Sequence, residues 1–261
     1  MSISRRTFLA GAGLVSLGGA RRVDALAEFR SGFKGSVILP TDAEYDRARM
    51  IASVNPSTDK RPRLIARCAN ADDVARAIEF GRTQALEIAV RAGGHDLLGA
   101  SVCEDGIVID VSRMKSIAVD PERRVARVEA GVRSSELNVA TSPYGLAAVL
   151  GCNPAVGVAG LTLGGGLGWF LGRFGAACDN LIAVDILDAN GTRRHARVDE
   201  HADLFWGLQG GGGNFGVVRS WAASSRFEPR SARFCGSTAI SWRRRPTRSR
   251  SRRASSSSIG R

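Results

Sequence analysis

Strands and helices that mix without strict alternation place this chain in the α+β class. Three stretches carry that reading. A strand–helix–strand unit opens at residue 63, short strands follow one another between residues 106 and 130, and Asn190-Gly191 marks a tight hairpin between two further strands.

In order, residues 63–67 (RLIAR) read as a strand, and residues 71–83 as a helix with Val74, Ala77 and Ile78 on its apolar stripe and Asn70 as its cap. Residues 87–91 return to strand and run straight into the segment RAGGHDLLGAS (91–101). Residues 106–111, 117–119 and 125–130 are successive strands, and residues 133–140 a helix that stops before Pro143-Tyr144-Gly145. Residues 181–187 form a strongly apolar strand, and the hairpin leads into residues 193–198. Residues 202–208 make a short helix, and residues 215–227 a last strand.

Between these elements lie three glycine clusters: 91–101 around His95, GVAGLTLGGGLG (157–168), and GGGGNFG (210–216). One such run alone reads as a flexible loop. Three, each separated by strands, read as three walls of one site, because every glycine adds to the entropy lost on folding and lets a ligand touch main-chain N–H groups. Gly211, Gly213 and Gly216 satisfy GxGxxG, but they follow a helix and enter a strand, the reverse of a Rossmann dinucleotide site. No GxxxxGK[ST] run, GxSxG elbow or HExxH pair occurs, and no metal is expected.

The net charge of +12 points at first to nucleic acid, but it sits at the ends. Residues 229–261 hold ten arginines and no acid, and residues 1–27 hold four arginines against Asp24. The remainder has 23 basic and 24 acidic residues, so no nucleic-acid partner is expected. Ser4-Arg5-Arg6-Thr7-Phe8-Leu9 resembles a twin-arginine export motif; a short apolar run follows, and Ala25-Leu26-Ala27 offers a cleavage site. Residues 1–27 are therefore expected to direct export through the twin-arginine machinery, leaving no stable membrane span, with residues 28–62 a lead-in to the domain proper. That run is too short for a bilayer, which needs about 20 apolar residues. Residues 230–261 read as an aberrant, disordered Arg/Ser-rich tail. Five cysteines (68, 103, 152, 178 and 235) show neither metal nor disulfide spacing and read mostly as small core residues.

The blocks RAGGH (91–95), GIVIDVSRM (106–114), ARVEAGV (126–132), NPAVGVAGLTLGGGLGWFLGRFG (153–175), CDNLIAVDI (178–186) and DLFWGLQGGGGNFGVV (203–218) resemble the flavin domain of berberine-bridge-enzyme-like FAD oxidases, in the vanillyl-alcohol-oxidase/p-cresol-methylhydroxylase superfamily. The resemblance covers residues 63–229 in family order. It implies a two-subdomain FAD-binding domain, with the substrate domain of longer relatives largely missing from this chain. It also implies that His95 carries the flavin through its ring, on the 8α-methyl, and that Arg91, Ala92, Gly93, Gly94 and Ser101 cradle the diphosphate. Gly131, Val156, Gly157, Gly160, Leu161, Gly165 and Gly166 would line the ring and phosphates, with Val156 at the oxygen gate, and Gly216, Val217 and Val218 the adenine side. Some relatives form a second bond from a cysteine just before the proline of C-P-x-V-G. Asn153 stands there and Cys152 one residue early, so a single bond is expected. The activity implied is oxidation of a C–H bond in an alcohol, amine or sugar-type small molecule, with O2 as acceptor. The catalytic base of relatives comes from the missing parts, and neither Tyr45 nor Tyr144 falls in a matching block, so none is assigned. A flavin-holding fragment without turnover and a basic-tail interaction protein are the alternatives.

Overall fold

The computed structural model describes residues 25–53 and 55–224. The export motif and the Arg/Ser-rich tail lie outside them; Ala25, Leu26 and Ala27 belong to helical turns that run through residue 31.

Two sheets organise the described residues. The first holds β1 (Ser36–Ile38), β2 (Leu64–Arg67), β3 (Ile88–Arg91) and β4 (Ile107–Asp110) in the order β1-β2-β4-β3. The strands β2, β4 and β3 are parallel, and β1 is antiparallel at the edge. Residues alternate between two cores, as a pleated strand requires. Leu64, Ala66, Ile107 and Ile109 face the main core under helix α2 (Ala71–Thr83), whereas Ile65 and Val108 face a smaller one under helix α1 (Tyr45–Arg49). The lead-in residues thus build an edge strand and the cover of one sheet face, which the sequence pattern did not indicate.

Helix α2 has the predicted bounds. The Asn70 side chain accepts from the N–H groups of Asp72 and Asp73, satisfying two donors of the first turn. Asp73, buried in that turn, accepts from the N–H groups of Lys34, Gly35 and Ala69, each at 2.9 Å, and ties the segment before β1 to the helix.

The second sheet is antiparallel throughout: β5 (Ile117–Asp120), β6 (Val125–Glu129), β7 (Leu181–Leu187), β8 (Arg193–Arg197) and β9 (Val217–Ser224), ordered β5-β6-β9-β7-β8. Its inner face (Ala126, Val128, Val184, Ile186, Trp221) joins the main core of the first sheet. Asp188 accepts from the N–H groups of Asn190 and Thr192 and shapes the β7–β8 hairpin, with Gly191 left-handed at φ 76°. Helix α3 (Ser134–Thr141) follows β6, with Glu136 accepting from the Arg133 N–H. The central glycine run holds a short helix that glycine content concealed, α4 (Val158–Leu163), and a second, α5 (Leu171–Phe174), follows it. Helix α6 (Ala202–Leu208) precedes the third cluster, which enters β9, so the GxGxxG match keeps the helix-to-strand context that disqualified it. Among the described residues no helix is long and apolar enough to cross a membrane. Cys68, Cys103 and Cys178 are buried and Cys152 is exposed, all with free thiols; burial raises the three buried thiols, Cys103 to about 11.

Candidate functional site

The segment around His95 leaves the end of β3, the first sheet's parallel edge strand. Arg91, the last residue of β3, sends its guanidinium to the Ala48 carbonyl of α1, and the Ala52 N–H donates to the Gly94 carbonyl at 2.7 Å. Arg91 is therefore occupied in holding the loop, and Gly94 takes a left-handed φ of 68° above its guanidinium. His95 is half-buried, with Nδ1 3.0 Å from the Gly93 carbonyl. Asp96, which sequence reasoning overlooked, clamps the following turn: its carboxylate accepts from the N–H groups of Leu98 (2.9 Å) and Ser101 (2.7 Å). Burial opposes its ionisation, but these N–H donors outweigh burial and hold the carboxyl below its ordinary range. The signal for it was the Asp placed two residues ahead of an available N–H in a turn.

The second cluster meets the first main chain to main chain. A Cβ on Gly93 would lie 2.3 Å from the Gly157 nitrogen, and one on Gly157 would lie 2.6 Å from the Gly93 nitrogen. Gly157 is held from the other side, because Val156 O accepts from Ser134 N–H and Val158 N–H donates to Val132 O. The far end of α4 reaches the third cluster through Gly212 N–H to Leu163 O at 2.9 Å. Helix α4 is thus a bridge of six residues, with the first cluster at one end and the third at the other.

The predicted glycines divide into two groups. Gly131 is packed against the Val111 and Met114 carbonyls; Gly166, at φ 80°, against Ala177; and Gly216, at φ 135°, against the Leu187 carbonyl. These positions are glycine because the fold leaves no room for a side chain. Val217 and Val218 are buried at the start of β9, Leu161 packs beside Gly151 and Gly166, and Val156 is half-buried just before Gly157. At Gly160 and Gly165, by contrast, an added Cβ would meet nothing within 4 Å.

This open strip fits an extended anionic cofactor. Among the described residues no acceptor is bonded to the N–H groups of Gly93, Gly94 or His95, three consecutive donors at the cluster junction. The Thr162 hydroxyl, on the buried face of α4, also has no hydrogen-bond partner among the described residues. Unpaired main-chain donors of this kind hold a diphosphate without a lysine. Beside the strip, Leu167, Trp169 and Leu171 are exposed, Trp169 by 82%. Asn153 spends its side-chain oxygen on the Ala155 N–H, shaping the turn in which Cys152 stands outward.

A family model described as an FAD binding domain matches residues 62–197. Among curated proteins, (R)-6-hydroxynicotine oxidase of Paenarthrobacter nicotinovorans is 40% identical over 186 residues, which cover 71% of this chain and 40% of that protein. The structure of Physcomitrella patens BBE-like 1 superposes with a TM-score of 0.74 at 27% identity, covering 77% of this chain and 44% of that one. Glucooligosaccharide oxidase from Acremonium strictum, described with a 6-S-cysteinyl, 8α-N1-histidyl FAD, gives a TM-score of 0.72 at 28% identity over 78% of this chain and 42% of that one. The chain spans less than half the length of these relatives. Strand order, glycine geometry and these likenesses agree: the chain belongs to the FAD-binding-domain family, with berberine-bridge-enzyme-like FAD-linked oxidoreductases of the p-cresol-methylhydroxylase superfamily as its relatives.

Proposed function

We propose that this chain holds FAD covalently through the imidazole of His95 and forms the flavin-binding part of an exported oxidase. The observation that carries the reading is the junction of Gly93 with Gly157, which brings His95 and three N–H donors with no acceptor among the described residues to the start of α4. Bound there, the flavin supplies hydride acceptance from a C–H bond of an alcohol, amine or sugar-type substrate, and O2 is the final acceptor. The protein's contribution is positional. Gly93, Gly94 and His95 offer N–H groups to the diphosphate, Asp96 fixes the loop that presents the imidazole, and the absence of side chains at Gly160 and Gly165 admits the cofactor to main-chain contact. Val156, next to the junction, takes the gate position. With Asn153 in place of the second attachment residue, one covalent bond is formed. The twin-arginine motif supports loading of the cofactor before export.

A second reading, flavin retention without turnover, draws on one specific observation: the matched region covers only 40% of (R)-6-hydroxynicotine oxidase and 44% of BBE-like 1, and no general base stands among the matched blocks. Protein purified from cells should be yellow and stay yellow after acid precipitation, and His95→Ala should lose all acid-stable flavin while keeping its circular dichroism. Acid-stable flavin in His95→Ala would overturn the assignment. Bleaching of the wild-type colour by an amine, sugar or alcohol panel distinguishes oxidase from retention.

A further inference from the structure

The outer face of the second sheet carries a recess of about 560 Å³ that contains none of the glycine-cluster residues. Ala118, Arg127, Ala222, Ala183 and Arg197 stand in direct register across all five strands. The two central alanines leave a shallow apolar floor between two guanidinium-bearing strands, and Ile182 and Val125 wall it. A bulge between Leu181 and Ala183 turns Ile182 toward this face together with Ala183.

The polar groups of the rim are mostly cationic. Arg123 and Arg127 are well exposed and loosely held, each 3.7 Å from a carboxylate, Asp120 and Asp185 respectively. Loose, solvated pairs of this kind are weak, so both guanidinium groups can turn to a better-placed anion. Arg197 is engaged with Asp199 and serves as wall. The one carboxylate in the lining, Asp120, already accepts from the Arg123 N–H at 2.9 Å. His195 also lines the recess. Its Nδ1 lies 2.6 Å from Asp185, whose other oxygen accepts from the Ser220 hydroxyl at 2.8 Å, so the ring is fixed and Nε2 is its remaining polar atom.

We infer that this recess binds a small organic carboxylate, its apolar body on the alanine floor and its charged head at Arg123 and Arg127, with His195, tied to Asp185, as part of the far wall. The volume lies within the range of small-ligand sites, and an apolar floor with a few convergent polar groups is their usual composition. The inference stands apart from the flavin reading.

Isothermal titration of the chain with octanoate tests it, with 1-octanol and octylamine as neutral and cationic controls of equal length. The expected result is saturable binding of one octanoate, with neither control binding. Arg123→Ala/Arg127→Ala should weaken it at least tenfold, and Ala183→Leu, which fills the floor, should abolish it; thermal melts verify that both variants fold. Inorganic phosphate should not compete. Absence of saturable octanoate binding at millimolar concentration, equal binding of octanol, or an unchanged affinity in the arginine variant would each overturn the inference.

Discussion

Two kinds of glycine share one motif. At the Gly93–Gly157 junction, side chains are excluded by the protein's own main chain; at Gly160 and Gly165, a few residues along the same segment, nothing of the described protein occupies the space. The first kind is explained by folding alone, since two backbones can approach this closely only without a Cβ. Gly165 has another backbone reason, its left-handed φ of 100°, but Gly160 has none. Gly160 lies inside a helix, where alanine is the better residue, and its retention there is a cost to the unliganded domain. The difference separates the glycines that assemble the site from those that leave room for its occupant.

The contrast breaks most sharply at the junction. Gly93→Ala or Gly157→Ala forces one backbone away from the other, and each should destabilise the domain by about 3 kcal/mol and abolish flavin attachment. Urea unfolding with flavin absorbance measures both together; a variant with unchanged midpoint and full flavin content would refute the close contact.

Acid should act next, and locally. A carboxyl held below its ordinary value when folded stabilises the loop above the unfolded value, near pH 3.8, and that contribution disappears as pH falls through the lower folded value. Protection of the Leu98 and Ser101 amides, taken relative to the intrinsic exchange rate at each pH, should therefore fall in acid in the wild type, whereas Asp96→Asn should show the lower protection already at neutral pH and no such acid step.

The smallest effect has the opposite sign. Gly160→Ala should stabilise the flavin-free protein by about 0.5–1 kcal/mol, the ordinary gain in a helix interior, and yet reduce flavin content. A stabilised variant with undiminished flavin would show that the open strip is not the cofactor's path.

Much of the architecture was legible beforehand because its causes are local. Helix α2 combines a capping Asn70 with an apolar stripe at helical spacing, and the strand 181–187 is a continuous apolar run bounded by turn residues. Helix α4 was hidden, because Gly157, Gly160 and Gly164 depress helix propensity and only burial of Val158, Ala159 and Thr162 overrides it. The lead-in was hidden for a related reason: β1 has three residues, and α1 acquires its apolar partners, Ile65 and Val108, only from the sheet it covers. Asp96 escaped notice because its role depends on the turn that follows it.

By itself the sequence determined the order of the elements, the class of the fold, and the places where side chains are withheld, since periodicity, caps and glycine clusters act through neighbours along the chain. Which glycines touch backbone and which face open space, and whether Arg91 serves a ligand or the Ala48 carbonyl, were decided by the tertiary structure. Those distinctions rest on distances between residues tens of positions apart, and only packing of the two sheets around one core fixes such distances.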